Sequence, residues 1–401
     1  MKEQESDPRP IPMSSPDLTD ADRQAVAEVL KTPRLSMGPN ETAFEAAVAS
    51  YVGAEYGVAV SSGTAGLHLA VRAAGVRGGD WVVTTPFSFV ASANVLLYEG
   101  ATPIFVDVDP QTGNIAPGLV AEAVAGLMRG GRAARRWLPR RGAERRSRLK
   151  ALLPVDVFGQ PADFDPLQEI AKEHGLGLIE DSCEAFGARY RGRAAGRLGE
   201  IGVFAFYPNK QMTTGEGGVV VTDRQEWAAL VRALRNQGRA PGDTWLEHTY
   251  LGYNYRLDEL SAALGLSQMR RIEELLAKRQ RVADWYGVRL AELPGAQPVP
   301  QAPTTTRMSW FVYVVRLDRE FERDSVAQQM QANGIPTRPY FAPIHLQRYM
   351  REQFGYQERD FPVAEDLGRR SLALPFSGVM EEAQVERVCQ ALRRALKERS
   401  W

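Results

Sequence analysis

Five short apolar segments alternate with helical patterns between residues 81 and 206, and this alternation limits the possible folds more than any other feature. The strand candidates are Trp81–Thr84, Thr102–Val106, Ala151–Val155, Leu176–Glu180 and Ile201–Phe206. Strands that are apolar along almost their whole length are buried on both faces, and their alternation with helices is typical of a parallel sheet between two helical layers. The sequence therefore predicts an α/β fold, whose ligands bind beyond the carboxyl ends of the strands.

Candidate functional residues follow the ends of these strands. The turn Ser61–Gly66 comes directly after a short strand, Tyr56–Val60, and before a helix. Free backbone N–H groups at such a helix start bind phosphate, although many α/β proteins use the same turn only for close packing. Phe89, Asp181 and Lys210 also follow strands. All four features are therefore expected to line one crevice.

Lys210 lies between an apolar run that ends at Pro208 and a second strand candidate, Val219–Thr222. Desolvation between two core strands favours the neutral amine, which is the form that attacks a carbonyl group. The alternative is an ordinary solvated loop lysine. An enzyme that uses pyridoxal 5′-phosphate needs a lysine, a carboxylate for the pyridine nitrogen, a phosphate turn and an aromatic ring, and Lys210, Asp181, the Ser61–Gly66 turn and Phe89 match these four requirements.

Composition excludes several other classes of function. The chain of 401 residues carries 49 basic and 49 acidic residues, which gives no argument for nucleic acid or for an acidic membrane surface. Its two cysteines, Cys183 and Cys389, form neither a disulfide framework nor a metal-ligand spacing. No signal peptide and no apolar run of membrane-spanning length is found. We therefore expect a soluble, cytoplasmic protein without a metal site.

The length suggests two to three domains. Residues 1–17 are polar and proline-rich and are interpreted as an arm. The sequence pattern changes at about residue 262. A long helical pattern, Glu259–Trp285, is followed by a proline-rich linker, a strand at Trp310–Leu317 and further helices. The prediction is a large domain over residues 1–262 and a smaller α+β domain over 263–401.

An arginine-rich insertion at about residues 129–148 does not fit a compact domain. Nine arginines lie between Met128 and Leu149. The favoured interpretation is a solvated, even disordered, surface insertion. The alternative is a basic flap over an anionic nucleotide.

Five segments together resemble a known family. They are Ser61–Ala70, Thr85–Ala91, Glu180–Gly187, Tyr207–Gly218 and Gly252–Leu257. They are similar to segments of the pyridoxal-phosphate-dependent sugar aminotransferases of the DegT/StrS family, which includes perosamine-synthase-like enzymes. The resemblance runs from about Ile11 to Leu396, except for the insertion. It implies the three-layer large domain of fold type I, with a smaller C-terminal domain.

The resemblance also implies roles for the cofactor-binding residues. Lys210 matches the Schiff-base lysine, which also carries the proton between the donor and the cofactor. Asp181 matches the partner of the pyridine nitrogen, and Phe89 matches the aromatic ring on the cofactor face. The phosphate turn is matched by Gly63, Thr64 and Ala65.

Further roles concern the substrate and a second subunit. Asn254 matches a phosphate contact made across a dimer interface, so a homodimer with shared active sites is implied. Glu184 matches a polar position beside the cofactor and the sugar. The sugar-nucleotide side is matched by Arg338, Tyr340 and His345, although His345 is equally compatible with a packed histidine.

Position 205 departs from the family pattern. Many relatives carry a serine five residues before the lysine as a phosphate ligand, whereas this chain has Ala205. Phosphate binding is therefore expected to depend on the glycine turn, on Ser182 and on Asn254 of a second subunit.

The resemblance implies transfer of the amino group of L-glutamate to a nucleotide-linked keto sugar, specifically a 4-keto-6-deoxyhexose. An aminotransferase acting on a cyclic ketone or cyclitol stays open. A sugar dehydratase of the same family is disfavoured because those relatives replace the lysine by histidine. A regulator that binds pyridoxal phosphate without turnover is the alternative from a different class.

Overall fold

The computed structural model describes residues 10–143 and 147–397. The strands are β1 (Tyr56–Val60), β2 (Trp81–Thr84), β3 (Thr102–Phe105), β4 (Leu149–Leu153), β5 (Gly177–Asp181), β6 (Arg189–Tyr190), β7 (Arg193–Ala194), β8 (Ile201–Ala205), β9 (Gly218–Thr222), β10 (Ala296–Pro298), β11 (Thr305–Arg307), β12 (Tyr313–Leu317) and β13 (Ser371–Leu374). The α-helices are α1 (Asp20–Val29), α2 (Pro39–Val52), α3 (Gly63–Ala73), α4 (Ala91–Tyr98), α5 (Pro117–Arg129), α6 (Gly131–Arg135), α7 (Phe164–His174), α8 (Gln225–Arg235), α9 (Glu259–Met269), α10 (Ile272–Leu290), α11 (Arg323–Ala332), α12 (Arg348–Phe354), α13 (Pro362–Arg370) and α14 (Glu382–Lys397).

The central sheet has seven strands in the order β1-β9-β8-β5-β4-β2-β3. β2 is parallel to β3 and β4, and β5 is parallel to β4 and β8. β9 is antiparallel to both of its neighbours, β8 and β1. The expected mostly parallel sheet is therefore confirmed. Because β1, β2, β4, β5 and β8 run in one direction, their carboxyl ends meet at one edge.

The sheet lies between two layers of helices. Val203 of β8 and Val220 of β9 belong to the apolar core that contains α3, whereas the adjacent Phe204 and Val219 belong to the core that contains α2. This alternation follows from the two-residue period of a strand. α3 packs so closely that a Cβ atom on Gly66 would lie 2.7 Å from Cγ1 of Val203, so only glycine fits there. The expected three-layer α/β architecture is confirmed.

A second sheet, β10-β12-β13, packs with α10, α11 and α14 toward the C-terminus. The single long helix expected over Glu259–Trp285 is wrong, because the chain forms α9 and α10 with a break at residues 270 and 271. At the break the Arg271 guanidinium turns toward α1 and pairs with Asp17 and Asp22. The proposed domain boundary after residue 262 falls inside α9, and that division stays a prediction.

The described part of the N-terminal arm packs on the C-terminal part of the chain. Ile11 is buried in the same core as α10 and α14. The Met13 carbonyl accepts a hydrogen bond of 2.9 Å from the Phe376 N–H. Residues 1–9 of the predicted arm lie outside the described residues. The arm thus connects the first and last parts of the chain.

The described part of the arginine-rich insertion is folded. The Trp137 indole packs against Gly126 of α5, where a Cβ atom would lie 2.7 Å from Nε1. Arg140 donates to both carboxylate oxygens of Asp360, with 2.7 Å between Nη2 and Oδ1. Residues 144–146 lie outside the described residues. Residues 129–143 lie mostly at the surface, as expected, but they are docked rather than free.

Glu259 joins α9 to the start of α2. Its Oε1 accepts the N–H groups of Gly38 and Glu41 at 3.0 and 2.9 Å, and its Oε2 accepts the backbone and side-chain N–H groups of Asn40 at 3.0 and 2.8 Å. A buried carboxylate at a helix N-terminus satisfies donors that have no intrahelical acceptor and is favoured by the helix dipole. A Cβ atom on Gly38 would lie 2.7 Å from Cδ of Glu259, which explains the glycine at this position.

Replacing Glu259 by Ala is expected to lower the free energy of unfolding by about 3 kcal/mol, because it leaves several buried N–H groups without an acceptor. Chemical unfolding followed by circular dichroism measures this change. Glu352→Ala is the control, because Glu352 forms an exposed pair with Arg348 within α12 and its loss is expected to change stability little. Equal stabilities of the two variants would contradict this role of Glu259.

Candidate active site

A cleft of about 450 Å³ opens at the carboxyl edge of the central sheet. It has the position and size expected of a ligand site in an α/β protein. Seven residues singled out from the sequence line it, namely Gly63, Thr64, Phe89, Asp181, Glu184, Lys210 and Tyr340. The fold therefore brings together residues that lie far apart in the chain.

Lys210 follows β8 in a tight turn, where its N–H donates to the Tyr207 carbonyl at 2.9 Å. Its Nζ atom lies 3.8 Å from the centroid of the Phe311 ring. An amino group over an aromatic face is attracted by the ring quadrupole when it is charged. The Lys210 side chain therefore has a defined position within the cleft.

Asp181 is the last residue of β5 and is buried at the bottom of the cleft. Its Oδ2 accepts a hydrogen bond of 2.7 Å from the Ser92 hydroxyl, and its Oδ1 accepts one of 3.1 Å from the Cys183 N–H. Burial raises the pKa of Asp181, and these hydrogen bonds and the charge of Lys210 oppose that rise. A cationic group placed against Asp181 would stabilise its ionised form.

Glu184 is a second buried carboxyl group in the cleft. Its Oε2 accepts a hydrogen bond of 2.8 Å from the Phe158 N–H. Burial raises the pKa of Glu184 to about 7, against the opposing effect of the Lys210 charge. Glu184 can therefore change its protonation state near neutral pH, which is the range in which general acids and bases act.

The turn after β1 forms the start of α3. Ser62 is the N-cap, and its Oγ accepts a hydrogen bond of 3.1 Å from the Ala65 N–H. Gly63 and Thr64 are the first helical residues and line the cleft. Since the first N–H groups of a helix have no intrahelical acceptor, this turn presents an anion site.

Two of the expected phosphate contacts are not placed in the cleft. The N–H of Ala65 is already bonded to Ser62 and is therefore directed into the helix cap. Ser182 is buried, and its hydroxyl lies 2.6 Å from Oδ2 of Asp156 and 2.9 Å from Oε1 of Glu180. Its expected contribution to phosphate binding is thus corrected, because the side chain points away from the cleft.

The expected substrate role of His345 is also corrected. Its side chain is fully buried, its Nε2 lies 3.1 Å from Oε1 of Glu365, and its ring packs on Phe361. Arg338 is exposed and donates to the Thr337 carbonyl, outside the residues that line the cleft. Within this segment the structure places Tyr340 in the cleft, whereas His345 is a packed histidine.

Asn254 is exposed and does not line the cleft of its own chain. Its backbone pairs with Asn236 at the end of α8. Exposed apolar residues lie in the loop before it, with exposed fractions of 77% for Trp245 and 83% for both Leu246 and Leu251. Any contact between Asn254 and the cofactor therefore requires a second chain.

The chain resembles proteins of known families over almost its full length. Residues 16–393 match the DegT/DnrJ/EryC1/StrS aminotransferase family. The chain belongs to this family. It is 36% identical over 389 residues to GDP-perosamine synthase of Caulobacter vibrioides, with 96% of this chain and 98% of the relative covered. It is 34% identical over 400 residues to the spore coat polysaccharide biosynthesis protein SpsC of Bacillus subtilis, with coverages of 96% and 97%.

A solved structure gives the same result for the fold. DesV of S. venezuelae, in complex with a ketimine intermediate, superposes with a TM-score of 0.84 at 33% identity and covers 98% of this chain and 100% of its own. The protein is a pyridoxal-phosphate-dependent aminotransferase of fold type I. Amino transfer in amino-sugar biosynthesis is confirmed at the level of the family, whereas the amino donor and the sugar stay predictions.

The cleft of the aminotransferase fits pyridoxal phosphate on its own geometry. Oδ1 of Asn209 is buried and has no hydrogen-bond partner among the described residues, so it is available to a ligand. A Cβ atom on Gly63 would lie 2.6 Å from Cβ of Ala205, so glycine lets the anion-binding turn lie close to the end of β8. Asp181 supplies a buried carboxylate, and Lys210 supplies a primary amine in the same cleft.

Several residues of the cleft were not singled out from the sequence. Ser92 is the second residue of α4, three residues after Phe89, and this closeness in the chain could have indicated that it reaches the same cleft. Asn209 precedes the lysine directly. Phe311 and Phe341 come from segments more than a hundred residues later in the chain, and nothing local in the sequence indicates that they reach the cleft.

We expect Glu184→Gln to change how stability depends on pH in the cofactor-free protein. In the folded protein the pKa of Glu184 is about 7, above the ordinary value of 4.5, so Glu184 keeps its proton to a higher pH in the folded protein than in the unfolded chain. Wild-type stability therefore falls as the pH rises from about 4.5 to about 7, by about 3 kcal/mol through this group alone, and the glutamine variant lacks that fall. Urea unfolding at a series of pH values measures the difference.

Glu216→Gln is the matched control for Glu184→Gln, because Glu216 lines the same cleft but is exposed. Its unfolding curve is expected to follow the wild-type pH dependence. Parallel pH profiles for wild type and Glu184→Gln would show that the Glu184 carboxyl titrates at its ordinary value.

Proposed function

We propose that this aminotransferase moves the amino group of L-glutamate to a nucleotide-linked keto sugar, specifically a 4-keto-6-deoxyhexose, in cytoplasmic amino-sugar biosynthesis. The observation that carries this proposal is the position of Lys210 Nζ over the Phe311 ring, in one cleft with Asp181 and Glu184. A primary amine, a buried carboxylate and a titratable acid around one cavity are the groups that amino transfer requires.

Bound pyridoxal phosphate supplies a protonated pyridine ring, which takes up the electron pair left when the donor loses its α-proton. In the proposed roles Asp181 would pair with the pyridine nitrogen, and Phe89 would pack on the ring. The N–H groups of Gly63 and Thr64 would bind the phosphate. Lys210 Nζ would attach the cofactor and carry the proton between donor and cofactor.

The aromatic side of the cleft supports a sugar as the amino acceptor. Tyr340 is stacked on Phe341 with ring centroids 4.9 Å apart, and it lies parallel to Phe311 at 6.3 Å. Flat aromatic surfaces suit the apolar face of a sugar ring and a C6 methyl group. Glu184 lines the same cavity and in this proposal binds a polar group of the sugar. The perosamine synthase relative supports a nucleotide-linked sugar substrate.

The alternatives differ in what they require of these residues. A cyclic ketone or cyclitol would use the same Lys210 chemistry without a nucleotide. The dehydratase alternative is disfavoured by the presence of Lys210. A regulator without turnover would bind the cofactor but release no 2-oxoglutarate from glutamate.

The main test is a substrate panel with glutamate as donor. Nucleotide-linked 4-keto-6-deoxyhexoses are expected to be aminated, and the product position is read by NMR. Lys210→Ala is expected to lower turnover by about 10³-fold or more, because it removes both the attachment group and the proton carrier. Amination of free cyclitol ketones alone would favour the second substrate class, and absence of 2-oxoglutarate release would favour the regulator.

The proposal includes a homodimer in which Asn254 of one chain reaches the phosphate of the other. Asn254 is exposed, it is absent from its own cleft, and it follows a loop with exposed apolar side chains. Such a loop requires a partner surface to bury it. The exposure of Asn254 supports a second copy of this chain as that partner.

Mixing two impaired variants tests this arrangement. At limiting cofactor, Lys210→Ala is expected to be inactive, and Asn254→Ala is expected to have reduced activity. A mixed dimer restores one wild-type site, because the chain with Lys210 intact receives an intact Asn254 from its partner. Activity is therefore expected to rise above the sum of the separate variants after mixing. No rise, with mixed dimers shown by native mass spectrometry, would place Asn254 outside a shared site.

A further inference from the structure

Arg279 of α10 is a buried arginine whose guanidinium donates hydrogen bonds to four carbonyl oxygens and lies 5.6 Å from the centroid of the Phe376 ring. Its side chain is 3% exposed. Nη1 donates to the carbonyls of Trp310 and Phe311 at 3.0 and 3.3 Å, and Nη2 donates to those of Asn209 at 3.0 Å and of Lys210. No ion pair involves Arg279 within the described ranges 10–143 and 147–397. A buried cation without a paired carboxylate is costly, so these contacts replace the solvation that Arg279 has lost.

The four carbonyls belong to the two segments that meet at the cleft. Asn209 and Lys210 lie in the turn after β8 of the central sheet. Trp310 and Phe311 precede β12 of the smaller sheet and carry the ring under Lys210 Nζ. One guanidinium therefore fixes the distance between the backbone of the lysine and the backbone of the ring that the lysine contacts.

The geometry of arginine is well suited to this bridge. The guanidinium is planar and carries five N–H donors in a fixed fork, so its two Nη atoms can donate to two different pairs of carbonyls. A lysine amine is a point charge with three donors and cannot span both pairs. Burial lowers the pKa of Arg279 to about 10, so the group stays charged at neutral pH and keeps all its donors.

We propose that Arg279 is a positioning residue for the reaction, which sets Lys210 Nζ in the cleft by tying the lysine turn to the Phe311 segment. The proposal rests on the function proposed above for Lys210. Arg279 does not line the cleft, and it acts through the two backbone segments. Gln211 connects the same two regions from the other side, since its Nε2 donates to the Glu184 carbonyl and to Ser309 Oγ. Arg279 is distinguished by its direct contact with the Lys210 carbonyl.

The test compares two cofactor forms on the cofactor-free full-length chain. The aldehyde of pyridoxal phosphate condenses with the Lys210 amine, forming a carbon–nitrogen double bond and releasing one water. Pyridoxamine phosphate carries an amine in place of the aldehyde and forms no such bond, so it reports on the rest of the cleft. Dissociation constants for both are measured by equilibrium dialysis with wild type, Arg279→Met and Arg279→Lys.

Arg279→Met is expected to bind pyridoxal phosphate about tenfold more weakly and pyridoxamine phosphate within about twofold of wild type. A tenfold change corresponds to about 1.4 kcal/mol, the order of one hydrogen bond to a charged group. Arg279→Lys is expected to show the same selective loss, because an amine cannot span both carbonyl pairs. The lysine variant retains a charge and provides the comparison if Arg279→Met does not fold.

Arg316→Met is the matched control. Arg316 is also buried, burial likewise lowers its pKa to about 10, and it donates to the Pro110 carbonyl, away from Lys210. Its loss is expected to leave the ratio of the two dissociation constants unchanged.

Equal weakening of both cofactor forms in the Arg279 variants, or the same selective loss in Arg316→Met, would overturn the positioning role. Lys210→Ala separates this failure from that of the proposed function. If that variant binds pyridoxal phosphate as tightly as wild type, the role of Lys210 itself fails, whatever the Arg279 variants show.

Discussion

Lys210 Nζ shares one cleft with two buried carboxyl groups, and the chemistry of the site depends on how its charge acts on them. Burial raises the pKa values of Asp181 and Glu184, and the positive charge of Lys210 opposes both shifts. Each carboxyl group is held by a specific donor, Ser92 for Asp181 and the Phe158 N–H for Glu184. The position of the Lys210 charge therefore influences the protonation of both carboxyl groups.

The residues on either side of Asp181 fix its orientation, because they are anchored on the opposite face of the sheet. Glu180 accepts N–H bonds from Gly196, Leu198 and Gly199 on the opposite face of β5. Ser182 also points away from the cleft, toward Glu180 and Asp156. Because side chains alternate along a strand, anchoring residues 180 and 182 on one face directs Asp181 to the other. The same alternation explains why Ser182 cannot be a phosphate ligand if Asp181 faces the cofactor.

The parts of the fold that depend on local sequence were predictable. Apolar strands, turn residues and the glycine-rich start of α3 gave the parallel sheet and placed Lys210 and Asp181 at its edge. The break between α9 and α10 was not predictable, because its leucine-, arginine- and glutamate-rich sequence also fits one helix and the ion pairs of Arg271 involve residues about 250 positions away. His345 shows the same limit. Its packing against Phe361 and Glu365 is a tertiary contact that the sequence around it does not indicate.

A single chain offers few phosphate-binding groups in the cleft. Lys210 is therefore more important for holding the cofactor. Ala205 presents only a methyl group beside Gly63. Among the described residues that line the cleft, Lys210 is the only basic side chain. Within one chain an anion at this turn is therefore stabilised by the α3 dipole, by backbone N–H groups and by the neighbouring hydroxyl groups of Ser62 and Thr64. On the proposed roles, retention of the cofactor then depends more on its bond to Lys210, and hence on the contacts that hold the lysine turn against the Phe311 segment.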